Sequence, residues 1–256
     1  MITLASDFGS PYPAAMRGVI LQRTDTCIVD VAHDLPRQDV ESAAFWLREV
    51  LPWFPPAVHC AVVDPGVGTD RDALAVRVGD HAIVAPDNGL ALPVARRLQE
   101  SADGTPPIEP FVVRYEDPAS STFHGRDVFA PAAAVIYEAG VDRMESVDRL
   151  APCEEYVDLQ FPDPEPIDDG VVGDILVLDG FGNAITNVPG DVLQGFDRVC
   201  VDGETVPVGG SFAAVPVGER LVTVGSHGNV ELAVNQGRGD AAFDVDVGDS
   251  VRIEFD

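Results

Sequence analysis

Val62-Val63-Asp64-Pro65-Gly66-Val67-Gly68-Thr69-Asp70-Arg71 decides the reading of this chain. The apolar run from His59 to Val63 has the length of a buried strand, and it ends on a carboxylate that breaks at once into a glycine-rich turn. Glycine there opens backbone conformations closed to other residues and lets a ligand come close. In α/β folds the carboxyl ends of the strands are where ligands sit. Taken alone, Asp64 is only the turn cap that Asp often makes at a strand end. Three more segments share the grammar. Met1 to Ala5 stops at Ser6-Asp7-Phe8-Gly9, His81 to Ala85 stops at Pro86-Asp87-Asn88-Gly89, and Ile175 to Leu178 stops at Asp179-Gly180-Phe181-Gly182-Asn183. Four strands that each end in an acid beside glycine imply polar groups gathered around one crevice. Ser121-Thr122-Phe123-His124-Gly125-Arg126-Asp127 adds a histidine just ahead of an apolar helix.

Strands and helices alternate through the first half. A helix is expected over 14–21 and a strand over 27–31, and Asp39 is placed to cap a second helix. That helix aligns Val40, Ala43, Ala44, Leu47, Val50 and Leu51 in one stripe. Phe45, Trp46, Trp53 and Phe54 read as core and interface. A hairpin follows, 74–78 with 81–85 across Gly79-Asp80, then helices over 90–99 and 127–139. The fold class is α/β, with a mostly parallel central sheet in an N-terminal domain spanning 1–160. Residues 161–170, with three prolines and four acids, read as a linker. Beyond it short strands alternate with turn signals and no strong helical pattern, which predicts a small β-barrel domain over 170–256. No internal repeat or low-complexity tract is visible.

Composition narrows the function classes. The 256 residues are 46% hydrophobic, without an apolar run of membrane-spanning length. The N-terminus enters a strand without the basic-then-apolar pattern of a signal peptide, so the cytoplasm is the expected location. Cys27, Cys60, Cys153 and Cys200 are scattered, as free thiols in a reducing compartment would be; no zinc cluster or redox pair is suggested. There are 43 acids against 16 bases, giving net charge −27, and every base is Arg. Such an excess repels nucleic acid and anionic membranes, so neither is an expected partner. Spread along the chain, the acids fit a high-salt cytoplasm where screening is strong, and the expected source is a halophile.

Together these motifs resemble the S-adenosyl-L-methionine (SAM) hydroxide adenosyltransferases, water-using relatives of the fluorinases and chlorinases. The likeness runs through Thr3–Gly9, Ile28–His33, Val63–Gly68, Ala85–Gly89, Phe123–Arg126, Phe181–Asn183 with Thr186-Asn187, Gly225-Ser226 and Glu231–Gly237. It implies an α/β domain followed by a small barrel. The implied reaction is attack of water on the ribose 5′ carbon of SAM, releasing L-methionine and adenosine, with no cofactor and no metal. Asp64, Arg71 and His124 then carry the catalysis. Methionine leaves as a neutral thioether, so the difficulty lies in the nucleophile, water with a pKa of about 15.7. An imidazole at His124 takes the proton, Asp64 orients and stabilises, and Arg71 holds the carboxylate and a developing hydroxide.

The same resemblance places the ribose hydroxyls on Asp7 and adenine on Phe181, Asn183 and the backbone near Val234. It places the methionine end on Asp179, Ser226 and Glu231. It also implies a homotrimer with the site between subunits. Each residue has a plainer role: Asp7 a turn cap, Arg71 a surface partner of Asp70 or Asp72, His124 a core histidine. His33, His59 and His81 are left as structural. Gly125 offers no hydroxyl to a halide, and the loop Gly9–Pro13 is short for the family. Two other classes remain in view, a non-catalytic SAM or adenosine binder and a halide-using adenosyl-halide synthase. A Mg²⁺-dependent phosphoesterase suits the acidic rims, but the sequence lacks a P-loop and sets its central Asp beside Arg and His.

Overall fold

The computed structural model describes residues 1–116 and 118–255. The chain forms two compact units, Met1–Gln160 and Phe161–Asp256.

In the first unit the order is β1 (Ile2–Ser6), α1 (Tyr12–Leu21), β2 (Ile28–Ala32), α2 (Val40–Val50), β3 (Val58–Val62), β4 (Ala73–Val78), β5 (His81–Pro86), α3 (Ala91–Ser101), β6 (Ile108–Val113), α4 (Ala130–Ala139) and β7 (Leu150–Pro152). The seven strands lie in the order β2-β1-β3-β5-β4-β6-β7. Pairing is parallel from β2 through β5 and antiparallel from there to β7. The parallel arrangement expected from the sequence thus describes β2, β1, β3 and β5, three of which carry acidic rims, and the sheet as a whole is mixed. β1 and β3 are buried along their full length, which is why they read as unbroken apolar runs. Ile2, Leu4, Val58, Cys60 and Val62 pack with Met16 and Ile20 of α1 and Ile136 of α4 in one core. α2 packs on α3, and α3 lies over β4 and β5.

Local chemistry sets the helix ends. Asp39 caps α2, its Oδ1 accepting the Ser42 N–H at 3.0 Å and its Oδ2 the Ser42 hydroxyl at 2.6 Å. The single helix expected over 127–139 is in fact one turn of π-helix, Gly125–Phe129, followed by α4. Pro131 stands in the first turn of α4 and brings no N–H, so the ladder breaks and the turn before it widens.

The second unit holds β8 (Glu165–Ile167), β9 (Gly170–Leu178), β10 (Ala184–Pro189), β11 (Arg198–Val201), β12 (Glu204–Pro207), β13 (Arg220–Val224), β14 (Asn229–Val234), the one-turn helix α5 (Gly239–Phe243) and β15 (Ser250–Glu254). The main path is β12-β11-β15-β9-β10-β14-β13, antiparallel throughout. A bridge from Val208 to Val222 brings its two ends together, giving a nearly closed barrel. β9 alternates strictly, with Val171, Gly173, Ile175 and Val177 inward. A Cβ on Gly173 would stand 2.3 Å from Val188 Cγ2, so only glycine allows that approach. Residues 165–167, read as linker, instead pair with β9 as an edge strand, where Pro166 is tolerated.

On the sheet, His59 is fully buried. Its Nδ1 lies 2.8 Å from Thr3 Oγ1, its Nε2 lies 3.0 Å from His81 Nδ1, and the two imidazoles stack at 5.3 Å. Burial, then the neighbouring His81 and the N-terminal charge, push His59 down to about 3. Burial likewise pushes the Cys60 thiol up to about 12, so it stays protonated and inert. Because the folded value of His59 is depressed, its neutral form contributes stability that is intact above the unfolded value near 6.5 and is lost as pH falls toward 3. Unfolding free energy is therefore expected to drop by up to about 3 kcal/mol more in the native protein than in His59→Gln between pH 6.5 and 4.5, at about 1.4 kcal/mol per pH unit. Denaturant titrations at constant salt check this; parallel pH profiles for the two proteins would contradict it.

Candidate active site

Two strand-end acids and the histidine turn meet in the first unit. β1 delivers Asp7, whose Oδ2 accepts the Gln38 N–H at 2.8 Å; Gln38 takes a left-handed conformation, φ 59°, to present it. β3 delivers Asp64, whose Oδ1 accepts the Gly66 N–H at 3.0 Å and a hydrogen bond from Arg71 Nη2. A Cβ on Gly66 would stand 2.6 Å from Arg71 Nη1, so the glycine is what lets the guanidinium fold back over the turn. The Asp64 and Arg71 side chains are 4% and 17% exposed. Asp64 Oδ2 and Arg71 Nε are buried without a hydrogen-bond partner among the described residues. Buried polar atoms are almost always paired, so two of them in one ion pair mark a place built to receive a polar group.

His124 opens the π-turn and is buried, its ring meeting Tyr115 edge-on at 5.9 Å. Its imidazole makes no hydrogen bond among the described residues, which leaves both nitrogens for a ligand. Next to it, Arg126 clamps Asp127 (2.5 and 2.8 Å), and that contact holds the Asp127 carboxyl below the usual range. Asp7, Asp64 and His124 line one cavity of about 520 Å³. Phe8, Tyr12 and Phe123 form its aromatic wall, with Phe123 edge-on to both others at 5.9 and 5.4 Å. The floor at Gly125 is bare backbone, since a Cβ there would come within 2.9 Å of the Phe8 ring and 3.2 Å of Met16 Sδ.

The wall and the two residues Arg37 and Gln38, which also line the cavity, were not singled out from sequence. Aromatics flanking the motifs, Phe8 after Asp7 and Phe123 before His124, were the available signal. Asp87, by contrast, does not line this cavity. Its Oδ1 accepts the Val157 N–H at 2.8 Å, and burial raises its carboxyl, so it fastens the segment after β7 to the sheet. The four acidic strand ends therefore do not share one crevice.

In the second unit Asp179 is engaged within its own turn, accepting from Phe181 N (2.9 Å), Asn183 N (2.8 Å) and Asn183 Nδ2 (2.9 Å). Phe181 is 80% exposed at the tip of that turn, whereas Asn183 is buried. Ser226 is exposed on the turn between β13 and β14. Glu231, buried on β14, accepts at Oε1 from His227 Nε2 at 2.9 Å, and the Asn229 N–H reaches His227 Nδ1 at 3.3 Å. Val234 ends β14 and is buried. Among the described residues no three His, Cys, Asp or Glu side chains come together in a way that could hold a metal ion.

Residues 2–147 match the model of the SAM hydroxide adenosyltransferase N-terminal domain, and residues 173–252 match that of its C-terminal domain. The chain is 40% identical to the (R)-S-adenosyl-L-methionine hydrolase of Thermus thermophilus, over 97% of each chain. It is 37% identical to the enzyme of the same name from Salinispora tropica, over 98% of this chain and 97% of the other. A crystal structure of an uncharacterized conserved protein from Thermotoga maritima superposes with a TM-score of 0.83 at 31% identity, covering all of both chains.

The buried ion pair generates a test of its own. Removing one partner strands the other as an uncompensated buried charge. Arg71→Ala is expected to destabilise the protein by about 3 kcal/mol, the low end of the range for such pairs because Arg71 keeps some solvent contact. Adding Asp64→Asn should restore most of the loss. Denaturant unfolding at neutral pH measures both, and a single variant as stable as the native protein would show that the pair is screened.

Proposed function

The chain belongs to the SAM hydroxide adenosyltransferase family, and we propose that it is a SAM hydrolase forming adenosine and L-methionine. The oxygen of water bonds to the ribose 5′ carbon as the carbon–sulfur bond breaks. The bonding pair stays on sulfur, turning a sulfonium into a neutral thioether, and water gives up its proton to His124. Asp64 and Arg71 hold the water and the charge that develops on it, Asp64 through Oδ2 and Arg71 through Nε. The observation that carries this reading is that both atoms are buried without partners among the described residues, and that Asp64, the member of the pair that lines the cavity, shares it with His124. In-line alignment of water, carbon and sulfur supplies much of the remaining acceleration.

Water fits this site better than a halide does. A halide brings no proton, so a buried ion pair and a histidine base would have nothing to do. The substrate itself needs no cofactor, because the sulfonium is already activated for departure. Asp7 receives the ribose hydroxyls, and the exposed ring of Phe181 suits stacking on adenine. Asn183 and the backbone near Val234 meet the adenine edge, and Asp179, Ser226 and Glu231 take the methionine end. Asp179 and Glu231 each already accept bonds from their neighbours, so they act there as fixed carboxylates. The reading extends to a homotrimer with the site between subunits, working in a high-salt cytoplasm for which an arginine-only, strongly acidic chain is suited. Among the described residues no helix is long and apolar enough to cross a membrane.

Incubation with SAM in the presence of EDTA is expected to yield adenosine and L-methionine in equal amounts by chromatography. His124→Ala should still bind substrate while losing about 10²–10⁴ in single-turnover rate, the usual contribution of a positioned base. No adenosine from the native protein, or a His124→Ala enzyme with unchanged rate, would refute the assignment.

A further inference from the structure

His33, structural by its sequence setting, touches the site from behind. It follows β2, which lies beside β1, and its Nδ1 is 2.8 Å from Ser6 Oγ, the residue immediately before Asp7. Its carbonyl accepts the Gly9 N–H at 2.8 Å, on the other side of Asp7. Two residues on, the Leu35 N–H reaches the Ser6 carbonyl at 3.3 Å, and the Gln38 N–H bonds Asp7 itself. On the far side of the ring Nε2 lies 3.2 Å from Asp30 Oδ1, an ion-pair distance whose geometry is not that of a hydrogen bond. Asp30 in turn is paired with Arg17. Burial opposes the Asp30 charge, but the contacts from Arg17 and His33 together hold its carboxyl below the usual range.

Ser6, His33 and Asp30 stand in the spatial order of a nucleophile, its base and its orienting acid. Ser6, however, is fully buried, so no substrate atom can reach its hydroxyl. The arrangement must act on the turn. Both ends of the segment Ser6–Gly9 are held by one residue, and the only polar side chain of that segment lining the cavity is Asp7.

We propose that His33 is a positioning residue for Asp7, gripping Ser6 with its ring and Gly9 with its carbonyl so that the carboxylate is fixed where the ribose hydroxyls bind. This rests on the reading of Asp7 as the ribose carboxylate, and the test separates the two. Adenosine and 2′,3′-dideoxyadenosine, which lacks both hydroxyls, are titrated by calorimetry into the native protein, Asp7→Asn, His33→Ala and His33→Asn. If Asp7 binds the hydroxyls, Asp7→Asn reduces the preference for adenosine by about tenfold or more, the loss of hydrogen bonds to a charged group. His33→Ala is then expected to reduce the same preference by a comparable factor while leaving dideoxyadenosine affinity unchanged. His33→Asn, which can still bond Ser6, should recover part of it.

Three outcomes overturn the proposal. If Asp7→Asn loses the preference and both His33 variants keep it, Asp7 is the ribose carboxylate and His33 does not position it. If both nucleosides weaken equally in the His33 variants, the residue is merely structural. If Asp7→Asn keeps the preference, the reading of Asp7 fails and the role of His33 falls with it. Should His33→Ala not fold, Ser6→Ala, which removes the ring's contact alone, is judged by the same ratio.

Discussion

The ion pair of Asp64 and Arg71 is the constraint on which the rest of the site depends. Taking two charges out of water at the end of a buried strand costs several kcal/mol per ion unless each finds partners. Here the partners are incomplete by design of the turn. Gly66 supplies one N–H and, lacking a side chain, the space for the guanidinium. One oxygen and one nitrogen are left buried and unbonded among the described residues. Such an arrangement is costly to leave unmet, and that cost is what favours a polar ligand. A fully satisfied pair would be more stable and less useful.

Topology puts the other groups within reach of it. Chain order and sheet order diverge at β1, which has β2 on one side and β3 on the other. Connections on its two sides must leave in opposite directions, so a crevice opens at the carboxyl ends of β1 and β3, the usual ligand position in such sheets. Asp7 and Asp64 are 57 residues apart in sequence and neighbours in space because Ser6 pairs with Val62 across those strands. His124 arrives from the far side, on a turn widened because Pro131 cannot donate to it. Gly125 then lets that turn settle against Phe8, the residue that follows Asp7. The cavity is thus closed by the immediate neighbours of the residues that define it.

Much of this was legible in the sequence, for identifiable reasons. β1 and β3 read correctly because strands buried on both faces are continuous apolar runs. The α2 cap read correctly because Asp39 bonds only to its own first turn. What failed depended on distant partners. β8 looked like linker because three prolines and four acids hide an edge strand whose only support is β9. Asp87 reads as one of the acids around the crevice because, like Asp64, it ends a strand beside a glycine. Its role is decided by Val157, seventy residues away. His33 was passed over for the same reason, since nothing near it in sequence points to Ser6. Local grammar identifies a strand end; only the tertiary neighbour says what the strand end is for.

Charge ties the fold to the proposed chemistry at longer range. SAM carries a sulfonium and an ammonium against one carboxylate, while adenosine is neutral and methionine is a zwitterion. A chain of net charge −27 therefore attracts the substrate and not the products. In dilute buffer that field aids encounter. At molar salt the screening length shrinks to about 3 Å, and the long-range advantage is gone. Recognition must then rest on groups in direct contact and shielded from ions. The same shielding keeps the proposed water-holding pair effective, since Asp64 is 4% exposed and paired to a guanidinium. The surface charge serves the solubility of the chain, and the proposed chemistry falls to the buried pair. The two can be this different in a single molecule because burial, more than the number of charges, sets how strongly each is felt.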